Sequence, residues 1–587
     1  MITLRFIVLD TAYKYRHRRA HDFYGAATVA ALHEDGLMTR NDEVYRLLVN
    51  DALDEESDMD VLDWRCIVHR ADELGGGGTR LDAGRYNLLI HKYWLVIVQR
   101  DDKRDEQDDE FPGPHLEAVY QRAAVQAIRN LKLSPSKSAL QSKLVTAQML
   151  TRPEAILNGR PHELTGPPIG VYHHIFPKFQ NGCTKAIPLQ RAYVSLTFQF
   201  LLASRQYYPS ETARQNALRS LLYDLLGSDV FIPSAIEGAS GMRDSVHGLS
   251  AQVAPARHSM YSLLGEIKNG FSTSGCDRLE QASHRYRKLC AAPHLDELRR
   301  KTAMPIFLLS ITGAQLVVAG GVFVDRVVVG RLTDNISLVP LQQAEALDAE
   351  TSRDTSPLDA LARKVAGILH SLRDSLAELK EWYAQPMHTA RPKDAVPWPH
   401  FKEFDNFTIE YTARLAPDDP ARCVFLATVT VNKNGEVKEC IMKFTSRYAD
   451  CVHRTLAEAG VAPQLIFCKW VDTVNQMVVI YEYVKDEGGS YDPKEIEELK
   501  RAVAVLHGKG LVHGDLRSPN VIVTAERKLM VIDCDWGGPI GVAAYPCDLN
   551  MSGDCAWHPS VHPCESIVAE HDDWLIDRLH MDQAAAC

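Results

Sequence analysis

Leu511 to Gly538 reads LVHGDLRSPNVIVTAERKLMVIDCDWGG, and it constrains the chain more than any other stretch. His513, Asp515 and Asn520 stand in the spacing H-x-D-x-x-x-x-N, and Asp533 follows Asn520 by thirteen residues at the end of the apolar strand Lys528-Leu-Met-Val-Ile. Short apolar strands separated by a polar turn bring such residues to one end of a small sheet. Two carboxylates and an amide gathered there suit phosphoryl transfer, in which the protein has little covalent work to do. It orients a hydroxyl, holds Mg²⁺ through hard oxygen ligands and places cations on phosphate. Asp515 is expected to orient or accept the proton of the acceptor hydroxyl, and Asn520 and Asp533 to ligate Mg²⁺. Asp535, in Asp-Cys-Asp-Trp-Gly, competes with Asp533 for the metal. Arg517, two residues past Asp515, is expected to reach the transferring phosphate. Upstream, Glu439-Cys-Ile-Met-Lys443-Phe reads as a strand whose Lys443 pairs with the α/β-phosphates of ATP.

These residues resemble the catalytic loop of protein kinases, and more closely the fungus-specific protein-kinase-like family. Further echoes are Arg447-Tyr-Ala-Asp-Cys-Val-His453, Ala462-Pro463-Gln-Leu465, Ile532-Asp-Cys-Asp-Trp-Gly537, Tyr545-Pro546 with Leu549-Asn550, and His571-Asp-Asp-Trp-Leu575. Departures are equally specific. No glycine-rich phosphate loop lies between Phe407 and Val431, and the helix position expected to carry a glutamate for Lys443 holds Asp450 or Cys451. Gly514 replaces the arginine that receives a phosphorylated activation loop. Only 54 residues follow Asp533. A small acceptor, autophosphorylation and a pseudokinase therefore all stay open.

The 587 residues exceed what one hydrophobic core supports, so several domains are expected. A formal charge of −11 gives no global basic footprint for nucleic acid. Thirteen scattered cysteines suit free thiols in a reducing compartment, although Cys547, Cys555, His558, His562 and Cys564 gather near the end. Residues 2–9 form a short apolar run containing Arg5, which is no ordinary signal peptide. Met304 to Val324 is twenty-one residues without a formal charge, but Thr312-Gly-Ala-Gln315 and Gly320-Gly321 interrupt it at strand-turn intervals. Consecutive strands are expected there, and no membrane span.

Punctuation divides the rest. Residues 1–100 open and close on apolar strands. Residues 101–114 form an acidic linker ending in Pro112-Gly-Pro114. Helical patterns run from Leu116 to Leu133 and from Gln190 to Leu226. Within 115–345, Leu263-Leu-Gly-Glu266-Ile-Lys268 is a strand closing in Glu-x-Lys, whose two polar side chains share one side by the period of two. Such a pair, with Asp244 upstream, resembles the site of restriction-endonuclease-like PD-(D/E)XK folds, which implies Mg²⁺ on Asp244 and Glu266, Lys268 positioning a water, and DNA as a partner. Gln281 and Tyr286 resemble further residues of that site, and His173-His174-Ile-Phe-Pro177 resembles the opening of an H-N-H nuclease. Residues 346–399 read as a helical, proline-rich linker, and 400–587 as the kinase-like region.

With Asn158-Gly-Arg-Pro161, Gly166-Pro-Pro-Ile169 and Tyr172-His-His-Ile-Phe176, the chain resembles Crinkler-type proteins of fungi and oomycetes. That resemblance implies a ubiquitin-like header, a PD-(D/E)XK-like mixed sheet with flanking helices, and a two-lobed kinase-like domain. The expected fold is a multidomain α/β and α+β protein. The expected function is an effector that uses ATP and Mg²⁺ to phosphorylate an unknown acceptor and that, secreted or translocated into a host, acts in the nucleus. Alternatives are a Mg²⁺-dependent DNA endonuclease with a regulatory kinase-like domain, or a non-catalytic interaction protein; the alternative to secretion is an intracellular place. Oligomerisation stays open.

Overall fold

A computed structural model describes residues 5–10, 86–91, 94–99, 115–185, 188–227, 250–253, 260–270, 278–341, 356–385, 396–416, 419–431, 435–551 and 555–584. The fold is mixed α/β with several sheets. The chain divides into two compact units, residues 1–397 with 418–421, and residues 398–417 with 422–587.

Among the described residues the first unit holds two sheets. Strands β1 (Arg5–Asp10), β2 (Tyr86–His91) and β3 (Trp94–Gln99) form the smaller, with β3 central, parallel to β1 and antiparallel to β2. Helix α1 (His115–Asn130) leads to the larger sheet. Its strands are β4 (Ile156–Leu157), β5 (Ser250–Val253), β6 (Met260–Lys268), β7 (Ile306–Thr312), β8 (Gln315–Phe323), β9 (Val327–Arg331) and β10 (Ile336–Ser337). The order is β4-β9-β8-β7-β6-β5, with β10 on β8. Strands β6 and β7 run parallel, as the intervening helix α5 (Arg278–Cys290) requires, while β7-β8-β9 is an antiparallel meander. The uncharged run 304–324 thus forms β7 and β8, and no helix among the described residues is long and apolar enough to cross a membrane.

Two adjacent glycines show why helices fit both faces. A Cβ on Gly320 would lie 2.5 Å from Phe176 of α2 (Ile175–Thr184), and one on Gly321 would lie 2.7 Å from Tyr286 of α5. Alternate residues of β8 face opposite sides, so glycine at both positions admits an aromatic ring on each.

The expected single helical pattern from Gln190 to Leu226 is two helices, α3 (Arg191–Ser204) and α4 (Glu211–Leu226). Pro209 cannot donate a helical hydrogen bond, and Ser210 starts α4 by accepting from the Ala213 N–H at 3.1 Å. The expected linker helix is α6 (Pro357–Ala384), begun by the Ser356 cap and Pro357. It does not act as a spacer. Leu369, Leu372, Leu376 and Leu379 are buried, and the helix packs on α2, α3 and α4 within the first unit.

The second unit opens with an antiparallel sheet of β11 (Glu403–Phe404), β12 (Phe407–Leu415), β13 (Cys423–Val431), β14 (Val437–Thr445), β15 (Leu465–Val471) and β16 (Gln476–Glu482). Its order is β11-β12-β13-β14-β16-β15. Helix α7 (Asp450–Glu458) joins β14 to β15. Helix α8 (Pro493–Gly508) follows, started by a capping box between Asp492 and Glu495. Two small antiparallel pairs come next, β17 (Leu511–Val512) with β20 (Gly538–Pro539) and β18 (Val521–Val523) with β19 (Leu529–Val531), and then α9 (Ala569–Ala584).

Candidate active site

Lys443 stands on the central strand β14, between Val424 of β13 and Val479 of β16. Its side chain is 9% exposed, with Nζ 2.5 Å from Asp533 Oδ1 and 2.8 Å from Asp535 Oδ2. Burial opposes its charge, but the two carboxylates outweigh burial and hold the ammonium above its ordinary range. The same pairing splits the carboxylates. For Asp533 burial is outweighed by Lys443, and its pKa falls to about 2. For Asp535 burial and the neighbouring Asp533 charge prevail, and its pKa rises to about 6. Asp533 also has φ +66°, a left-handed conformation uncommon for a residue with a side chain.

The β18–β19 pair brings the other motif residues to the same turn. Val521 pairs with Val531, and the Ile532 N–H donates to the Asn520 carbonyl at 2.9 Å, one residue before Asp533. Asn520 Nδ2 donates to Asp515 Oδ2 at 2.7 Å and to the Asp515 carbonyl at 3.0 Å. Arg517 forms a two-pronged ion pair with Asp515, Nε to Oδ1 and Nη2 to Oδ2, the latter at 3.0 Å. Its Nη1 lies 3.3 Å from Cys555 Sγ, and its guanidinium stacks 4.9 Å from the Trp557 ring.

Asp572 of α9, which the motif reading assigned no role, holds this loop from beneath. Its Oδ2 accepts from the His513 N–H at 2.8 Å and its Oδ1 from the Gly514 N–H at 2.7 Å, while His507 Nε2 lies 3.1 Å from Oδ2. Gly514 has φ +85°, and a Cβ there would meet Ile567 at 2.6 Å, so the loop needs glycine for conformation and for space. The His513 ring is fully buried. Burial lowers its pKa despite the Asp572, Asp515 and Asp533 charges, which keeps it neutral beneath the loop.

The first sequence echo after Lys443 has a packing role. His453 Nδ1 lies 2.6 Å from the Tyr448 hydroxyl and Nε2 2.8 Å from the Pro463 carbonyl, so the neutral ring accepts from one and donates to the other. Burial pushes the His453 pKa down to about 4, overcoming the Pro463 carbonyl. Between the unfolded value of about 6.5 and the folded value only the unfolded chain binds this proton, so His453 makes stability fall as pH drops through that window, by on the order of 3 kcal/mol in all. The urea midpoint of the second unit is therefore expected to fall less steeply from pH 7 to pH 4.5 in His453→Gln than in wild type. Parallel slopes would remove this role.

The expected free thiols need one correction. Cys547 and Cys564 are joined as a disulfide, so neither thiolate is available to a metal, and no cluster of three or more His, Cys, Asp and Glu side chains placed to hold a metal occurs among the described residues. Near them Val512, Tyr545, Leu549, Val561 and Ile567 share one small core.

In the first unit Glu266 and Lys268 are held apart by different partners. Buried Glu266 lies 2.9 Å from Arg285 Nη1 on α5, and Lys268 Nζ lies 2.8 Å from Glu211 Oε2 at the start of α4. The expected third member, Asp244, lies outside the described residues. Tyr286 donates its hydroxyl proton to the Met304 carbonyl at 2.9 Å inside the core, where Gln281 is buried as well. His173 and His174 pack against α6, His173 edge-on to Trp382 at 4.6 Å and His174 Nε2 3.0 Å from Glu378.

No family model matches the chain, and no curated protein does. Among solved structures, the kinase PK-1 of Cydia pomonella granulovirus is similar at 16% identity over 30% of this chain and 70% of that one, with a TM-score of 0.24. A TM-score of that size carries no argument about fold or activity, so the chemistry rests on this chain's own residues.

Proposed function

We propose that the second unit binds ATP with Mg²⁺ and transfers the terminal phosphoryl group to a hydroxyl acceptor. The observation that carries this reading is the linkage from Lys443 through Asp533, Ile532, Asn520 and Asp515 to Arg517, made by consecutive contacts of 3.0 Å or less. The donors fit a hard cation. Asn520 spends its NH₂ group on Asp515 and keeps its side-chain oxygen, while Asp533 turns Oδ1 to Lys443. Bound Mg²⁺ would neutralise phosphate charge.

The chain's own residues supply the remainder. Lys443 presents a point charge from a rigid strand and is exchanged from Asp533 to the nucleotide's phosphates. Asp515 is fixed from two sides by Arg517 and Asn520, yet a carboxylate has about four lone-pair directions, leaving room to accept a hydroxyl proton. Arg517 holds this carboxylate by two prongs and places a cation beside the acceptor.

The test is incubation of the full chain with γ-labelled ATP and Mg²⁺. The proposal expects release or transfer of label that EDTA abolishes and that Lys443→Met reduces by about 10²-fold or more, the scale for losing one preorganised cation. Equal label movement in wild type and Lys443→Met would overturn it.

A further inference from the structure

We infer that Asp535 is the residue that positions Lys443, a role that no carboxylate of α7 fills, and that of the two carboxylates only Asp533 is left for the metal. The inference rests on the ATP-binding reading of this site and adds a division of labour within it.

Helix α7 supplies Lys443 with no carboxylate. Asp450, in its first turn, is 53% exposed and lies 3.7 Å from Arg454 on the same helix, and Cys451 is exposed. A cation as buried as Lys443 keeps its charge only beside a counter-charge. Once Asp533 turns to a metal, Asp535 is the carboxylate still in contact.

The backbone fixes Asp535 for that purpose. The Ala449 N–H, just before α7, donates to the Cys534 carbonyl at 3.0 Å. A Cβ on Gly537 would lie 2.9 Å from the Val512 carbonyl, 3.1 Å from Val452 and 3.3 Å from Ala449, so the chain after Asp535 is pressed between α7 and β17. The Asp-Cys-Asp turn is thereby pinned to the start of the helix. Thr445, two residues beyond Lys443 and on the same side of β14, adds its hydroxyl 3.5 Å from Asp535 Oδ2. Asp535 Oδ1 is shut from solvent without a hydrogen-bond partner, whereas a metal-bound nucleotide arrives from solvent. Lysine anchor and metal ligand thus share one turn, and forming the site requires no inward swing of a helix glutamate.

The experiment compares Asp535→Asn, Asp535→Glu and Asp533→Asn in the full chain by titrating ATP at fixed Mg²⁺ and Mg²⁺ at fixed ATP. Asp535→Asn should weaken ATP about tenfold while leaving the Mg²⁺ half-saturation within about twofold, Asp533→Asn should raise that Mg²⁺ requirement at least about tenfold, and Asp535→Glu should recover most of the ATP affinity. A Mg²⁺ requirement raised equally by Asp535→Asn would make Asp535 a metal ligand and overturn the inference. A second measurement needs no nucleotide. In urea unfolding of the ligand-free chain, the effect of Asp535→Asn should largely vanish in a Lys443→Met background. Additive effects would overturn the anchor role, whereas failure of the wild type to bind ATP would overturn the ATP reading and leave this cycle to decide the anchor.

Discussion

Asp515→Asn should lower phosphoryl transfer by about 10²–10⁴ while changing ATP affinity only slightly. The substitution keeps size and most hydrogen bonding, so Arg517 and Asn520 retain a partner, but it removes the charge that orients and accepts the acceptor proton. Its effect belongs in the rate of transfer and not in nucleotide binding, because Lys443 and Asp533 are untouched. Single-turnover labelling beside equilibrium ATP binding separates the two. Transfer at the wild-type rate would remove Asp515 from the chemistry.

Asp572→Ala should have the largest effect on stability, a loss of about 2–5 kcal/mol, and should depress transfer although Asp572 contacts no reacting group. Two backbone donors, of His513 and Gly514, lose their acceptor in a buried setting, and His507 loses its carboxylate. Gly514 then loses the acceptor of its N–H, and Asp515 follows directly in the chain. Asp572→Asn keeps one oxygen and should lose less. Urea unfolding of the full chain measures both variants, and a wild-type midpoint for Asp572→Ala would show that the loop is held by other contacts.

The catalytic turn was legible because its parts are local. Thirteen residues from Asn520 to Asp533 span one β-hairpin, and the apolar runs on either side dictate that hairpin's register. Asp572 was missed, but a signal existed. It shares a helix face with Leu575, Ile576 and Leu579, and an aspartate on an apolar face is buried and must find donors. The partners of Lys443 were only half legible. The expected helix glutamate was visibly replaced by Asp450 or Cys451, but nothing local says that the turn carrying Asp533 is pinned to the start of α7, which brings Asp535 into reach as well.

Long-range pairings were the least legible. Glu266 and Lys268 are two residues apart on one strand, yet their partners, Arg285 and Glu211, come from helices on either side of β6 in the sequence. The pairing of Cys547 with Cys564, seventeen residues apart, likewise could not be read from cysteine count. The break between α3 and α4 was readable in Pro209-Ser210, but the apolar pattern on both sides hid it.

The central claim is that Lys443, Asn520 and Asp533 form a site for ATP with Mg²⁺. Calorimetric titration of ATP into the full chain, with Mg²⁺ and with EDTA, tests it most directly. The account predicts saturable binding with Mg²⁺ that weakens at least about tenfold in EDTA and in Asp533→Asn. Absence of binding by the wild type, or binding of equal strength in EDTA and in Asp533→Asn, would contradict it.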